Sequence, residues 1–159
     1  MPRTLRAATP ADVPLIARMI RELAEYERLA HEAVLTEEDL RENLFGAHRY
    51  AEVIFAEEDD QAVGFALFFH TFSTFLARPG LYLEDLFILP EHRGRGHGEA
   101  LIRRLAELAV ERGCGRFEWS VLDWNVDAHR LYERLGAVRV AGWTRYRLTG
   151  DALKRLAQR

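Results

Sequence analysis

The sequence predicts an α/β fold, a mixed central sheet of about seven strands with helices on both faces. Three observations predict it. Apolar residues recur at helical spacing in capped segments, and runs with a period of two or of continuous apolar character lie between them. The order is strand, two helices, three strands, helix, strand, helix, two strands, which departs from strict βαβ alternation. A length of 159 residues matches one domain spanning 1–159, since domains commonly run about 100–200 residues.

Each element has its own signal. Thr9-Pro10-Ala11-Asp12 places a capping hydroxyl before proline at the first helical position, with an acid two residues on. Leu15, Ile16, Met19, Ile20 and Leu23 then form one apolar stripe. Thr36-Glu37-Glu38-Asp39 is a second capping sequence, opening a short helix with Leu40 and Leu44 that stops at Gly46. Val53-Ile54-Phe55-Ala56 and the run from Val63 to Phe69 read as a hairpin. The acids between them, Glu57-Glu58-Asp59-Asp60, read as a solvated surface turn. Leu81 to Leu89 is a strand. A third helix begins near Gly98, buries Leu101, Ile102, Leu105, Leu108 and Ala109, and ends at Gly113. In the strand Phe117 to Leu122, Phe117, Trp119 and Val121 alternate with Glu118 and Ser120. The fourth helix runs from about Asp127 to Gly136. Val138 to Val140 and Trp143 to Leu148 are expected to close the sheet.

Composition excludes several functions. With 22 Lys+Arg against 25 Asp+Glu and a net charge of −3, there is no electrostatic case for nucleic acid. No apolar run approaches the ~20 residues of a membrane span. Met1 to Arg6 lacks a signal peptide's apolar stretch, so a cytoplasmic location is expected. A single cysteine, Cys114, excludes an internal disulfide and a multi-cysteine zinc site. The six histidines form no close His-x-x-x-His pair, and no metal is expected.

The chemical signal lies in Pro90-Glu91-His92-Arg93-Gly94-Arg95-Gly96-His97-Gly98, which follows a strand and opens a helix. Alternating glycines let the backbone turn its amides toward one point. The helix start adds unpaired N–H groups and a positive dipole end, and Arg93 and Arg95 add charge. This suits a phosphate. The spacing fits neither the dinucleotide fingerprint nor a Gly-Lys-Ser/Thr loop.

Arg93-x-x-Gly96-x-Gly98 resembles the acyl-coenzyme A pyrophosphate loop of the GNAT acetyltransferase superfamily, and the element order resembles that fold. Within it the chain is similar to the diamine and polyamine (spermidine/spermine) N-acetyltransferases and to the thialysine N-acetyltransferases. The stretches Glu22 to Glu27, Leu35 to Leu40, Val63 to Ala66, Leu81 to Phe87, Trp124-Asn125, Tyr132 and Gly136-Ala137 carry the likeness.

The resemblance implies acetyl-CoA as co-substrate, a small-molecule primary amine as acceptor, polyamine-like first, and a homodimer. Leu86, Phe87 and Ile88 would pair with the pantetheine arm, as an added strand does, while Gly94, Arg95, Gly96, His97, Gly98 and Glu99 wrap the pyrophosphate after Arg93. Asn125 would touch the cofactor, although Asn before a helix is also an ordinary cap. Glu84 is the expected proton acceptor, with Asp85 attracting the cation. Neighbouring strand residues face opposite ways, so a bulge or different roles are required of this pair. Tyr132 resembles the donor to the departing sulfur. Proton transfer from tyrosine near 10 to a thiol near 8.5 is uphill by about 2 kcal/mol, so a hydrogen bond is the lesser claim. Tyr26, Glu27, Glu118, Trp119 and Ser120 match substrate-side positions. After Gly136 an acidic stretch of the polyamine enzymes is missing and Arg139 appears instead, which leaves room for an amino acid-like amine such as lysine or thialysine. A non-catalytic acyl-CoA-binding module is the reading from another class.

Overall fold

Five strands form one sheet in the order β1-β2-β3-β4-β5: β1 is Arg3–Ala7, β2 Glu52–Glu58, β3 Gln61–Ser73, β4 Arg78–Ile88 and β5 Arg116–Trp119. This computed structural model describes residues 3–158, which divide into a unit ending at Trp124 and a second beginning at Asn125. Strands β1 to β4 are antiparallel neighbours, and β5 runs parallel to β4. The first unit also holds α1 (Val13–Tyr26), α2 (Glu37–Phe45) and α3 (His97–Glu111). The second holds α4 (Val126–Arg134) and α5 (Gly150–Ala157).

The expected order holds through α4, and the expected count does not. The sheet has five strands rather than about seven, because Val138 to Val140 and Trp143 to Leu148 form none. An apolar period of two makes a strand possible, but a ladder also needs a neighbour and a face to bury, and a lone two-stranded ribbon is marginal in water. Val138, Val140, Trp143 and Tyr146 are exposed, so no buried apolar area drives the pairing. The helix α5, for which no signal was read, follows instead.

Local chemistry sets the helix starts. The Thr9 amide donates to Asp12 Oδ2 at 2.8 Å, and Thr36 Oγ1 accepts from the Asp39 amide at 3.1 Å. One face of the sheet packs Val53, Phe55, Phe65 and Phe87 against Ile16, Met19 and Leu23 of α1 and Leu44 of α2. Burial of each such side chain contributes roughly 1.5–3 kcal/mol. The stripe expected of α3, Leu101 to Ala109, is buried as well.

The acidic run between β2 and β3 is not a bare turn. Asp59 and Asp60, at φ 52° and 64°, make the two-residue hairpin turn, while Glu57 and Glu58 end β2. Glu57 accepts from Arg6 Nε at 2.8 Å, and the same guanidinium holds Asp12. Glu58 is 4% exposed. Strand alternation from Ile54 and Ala56 carries it into the row that meets the start of α3.

Candidate active site

The site is organised by an irregularity in β4. Leu67 of β3 pairs with Asp85 and Phe68 pairs with Leu83, so Glu84 is an extra residue on β4, a β-bulge. The bulge reverses the strand's facing. Leu81 and Leu83 share the row of Phe68 and His70, whereas Asp85 and Phe87 share the row of Leu67 and Phe65, toward α1 and α2. The bulge that two neighbouring carboxylates need in order to serve one site is therefore present. On its other edge β4 pairs with β5 over Gly80 to Leu83, and the strand continues past that ladder to Ile88.

Three carboxylates influence one another there. Burial, then the charges of Glu84 and Glu27, pushes the Asp85 carboxyl up to about 7. Glu27, at the C-terminus of α1, is also raised, by burial first and then by Glu84. Aromatic rings border the acids. Tyr26 lies 6.5 Å from Phe87 and 5.9 Å from Trp124, between ring centroids. Arg28 holds its guanidinium 4.9 Å over the Trp124 ring.

The glycine loop has the backbone that its sequence requires. Gly94 and Gly96 adopt φ of 75° and 82°, and α3 opens at His97. Its arginines do not point away from the protein. Arg93 Nε donates to the Ile88 carbonyl at 2.8 Å, with the guanidinium 4.5 Å over Tyr26 and 5.3 Å from Phe87. Arg95 Nη1 donates to Glu58 Oε1 at 2.5 Å, and the Arg95 carbonyl accepts from Arg3 Nη2. The charge expected of these arginines is thus already engaged, and the loop offers main chain and a helix start. Leu86 and Ile88 are half-buried and Phe87 is buried. His97 is buried, Gly98 lies in the first turn of α3, and Glu99 pairs with Arg103 at 2.8 Å.

Of the other expected residues, Trp119 is registered against Leu83, one residue before Glu84, and packs on Phe117 at 4.9 Å. Ser120 Oγ meets the Tyr82 hydroxyl at 2.9 Å, and Glu118 lies 4.0 Å from Arg116. Asn125 and Tyr132 belong to the second unit. Asn125 caps α4, its Oδ1 accepting from the Ala128 amide at 3.3 Å, and Tyr132 is a half-buried residue of α4. Sequence reasoning missed Glu58 and Arg28. Continuing the Ile54-Ala56 alternation by one step would have found Glu58; Arg28 had no signal beyond adjoining Tyr26-Glu27. Among the described residues no group of three or more His, Cys, Asp or Glu could hold a metal ion, and no helix is long and apolar enough to cross a membrane.

β4 outruns its parallel neighbour β5 and is followed by a glycine loop and the start of α3. The model of the acetyltransferase (GNAT) family matches residues 17–137. This chain belongs to that family, and it is an acetyl-CoA-dependent acetyltransferase. It is 40% identical to the thialysine N-epsilon-acetyltransferase of Mus musculus, over 98% of this chain and 97% of that protein. An L-ornithine N5-acetyltransferase of Arabidopsis thaliana is 34% identical over 94% of this chain and 86% of its own. Among solved structures, an integron cassette protein of V. cholerae matches with a TM-score of 0.84 at 28% identity, over 100% of this chain and 99% of that one.

Proposed function

We propose that this enzyme moves the acetyl group of acetyl-CoA to the side-chain amine of a small amino acid of the thialysine, lysine or ornithine type. The observation that carries this reading is the carboxylate group Glu27, Glu84 and Asp85, with the Arg28 cation one residue from Glu27. Acids attract an ammonium, and a neighbouring guanidinium suits a carboxylate at the far end of the same molecule. A polyamine would bring a second ammonium instead, toward Arg28. The thialysine and ornithine enzymes among the relatives favour the same choice, which replaces the polyamine-first expectation.

The residues present fit acetyl-CoA. Positive-φ glycines and the α3 start suit a diphosphate, and the length of β4 beyond β5 suits an amide-bearing arm. Bound there, acetyl-CoA supplies an activated acyl thioester. The protein's part is to bring the amine and take its proton. An alkylammonium has a pKa of about 10.4, so an ordinary aspartate near 3.9 is a base too weak by about 9 kcal/mol. With Asp85 at about 7 the gap falls to about 5 kcal/mol. Desolvation, the force that raises Asp85, therefore makes it the better acceptor, and Glu84 and Glu27 keep it raised while drawing in the cation.

The test is acetylation across thialysine, lysine, ornithine, putrescine and spermidine, with wild type and Arg28→Ala. The amino acids should be preferred by wild type. Arg28→Ala should raise their KM about 3–10-fold, the loss of one charge-assisted contact, and leave the diamines' KM equal or lower. Preference of wild type for spermidine would sink the reading. The homodimer remains part of this proposal, with sedimentation equilibrium as its check.

A further inference from the structure

We propose that Glu58 is a positioning residue for acetyl-CoA, fixing the turn at residues 94–98 through Arg95 and His97. It rests on the reading of that turn as the pyrophosphate seat. Glu58 ends β2, far in sequence from the loop, yet its carboxylate takes a bond from the middle of the turn and another from its helix start. Oε1 accepts from Arg95 Nη1 at 2.5 Å, and Oε2 lies 2.7 Å from His97 Nε2. The His97 bond, then the Arg95 charge among lesser causes, holds the carboxyl below its ordinary range. An ionised carboxylate only accepts, so Nε2 is the donor. His92 Nδ1 stands 3.5 Å from Oε2.

The arrangement has a mechanical meaning. Arg95 lies between the two positive-φ glycines, where the backbone has the most alternative conformations. Its side chain is tied to Glu58 and its carbonyl to Arg3 Nη2. His97, the first residue of α3, is 3% exposed, and its Nδ1 has no partner among the described residues. Its other ring nitrogen, Nε2, is the one bonded to Glu58. Without Glu58 the glycine turn loses the contact that joins its middle to its helix start, and binding a ligand there must first order it.

Electrostatics alone predicts the opposite result, which makes the proposal testable. Glu58 is an anion near a diphosphate seat, and neutralising it would leave Arg95 free to attract phosphate. Titration of CoA into Glu58→Ala should show a dissociation constant raised about tenfold, with Glu58→Gln in between because it keeps one acceptor. The KM for acetyl-CoA should rise in step while the KM for the amine stays within about twofold. Unchanged or tighter CoA binding by Glu58→Gln would overturn the proposal, and that variant keeps the volume of the side chain if Glu58→Ala fails to fold. Arg95→Gln should cost little more once Glu58→Gln is present; fully additive losses would mean that Arg95 acts on the ligand by itself, and would also overturn it. If Gly96→Val leaves CoA affinity normal, the seat itself is misassigned, which separates that failure from this one.

Discussion

Asp85→Asn should yield a protein more stable than wild type and nearly inactive. The carboxyl of Asp85 titrates at about 7 in the folded chain against 3.8 without its surroundings, through burial and the charges of Glu84 and Glu27. Between those values the folded form keeps a proton that the unfolded form gives up. Stability therefore falls as pH rises from about 4 to 7, the reverse of an ion-paired aspartate. Asn carries no charge at any pH and escapes that loss. The full difference corresponds to as much as about 4 kcal/mol above pH 7. Melting curves of the two proteins should lie close together at pH 4 and separate by pH 8, Asp85→Asn melting higher. In turnover the same change should lower kcat by about 100- to 10,000-fold, the range for a lost general base. Glu84→Gln is the comparison. It removes one of the charges that raise Asp85, so the acid limb of the rate profile should move to lower pH with most activity kept. Inactive Glu84→Gln beside active Asp85→Asn would transfer the role of base to Glu84.

The backbone geometry near β4 was legible because it follows from local rules. Glu84-Asp85 inside an apolar run suggested a purpose, and adjacency asked for either a bulge or different roles; the register between Leu67 and Phe68 has the bulge. Gly94 and Gly96 announced their positive φ by residue type. Three other matters needed pairing in space. Val138 to Leu148 has the composition of strands, yet no residue in it says whether a partner strand is present. Glu58 looked like a turn acid, although one more step of the Ile54-Ala56 alternation turns it inward; its partners across the fold, buried His97 and exposed Arg95, show only in space. Arg93 and Arg95 read as phosphate ligands by charge and position, but whether a guanidinium turns outward or onto Ile88 and Glu58 is decided by what lies beside it. The rise of the Asp85 carboxyl was hidden for a related reason. Burial and the approach of Glu27 from α1 are properties of packing.

Gly96→Val should cost the most in cofactor binding. At φ of 82° a β-branched residue is strained by of order 1–3 kcal/mol, and its Cβ would come 3.1 Å from Arg3 Nη2. The turn must then shift, and an intended diphosphate loses the main chain that faces it. The CoA dissociation constant should rise about 10- to 100-fold by calorimetry, and normal affinity would refute the seat. Strain alone could mimic that result, and Gly98→Ala separates the causes. Gly98 lies in α3, where an added Cβ would meet only Ile88 Cγ1 at 3.9 Å and Leu86 Cδ2 at 4.0 Å. Alanine for glycine in a helix stabilises by roughly 0.5–1 kcal/mol. Gly98→Ala should therefore melt no lower than wild type and still bind CoA more weakly, because the methyl would stand where the ligand approaches the backbone. A stable Gly98→Ala with unchanged affinity would place the diphosphate elsewhere on the loop.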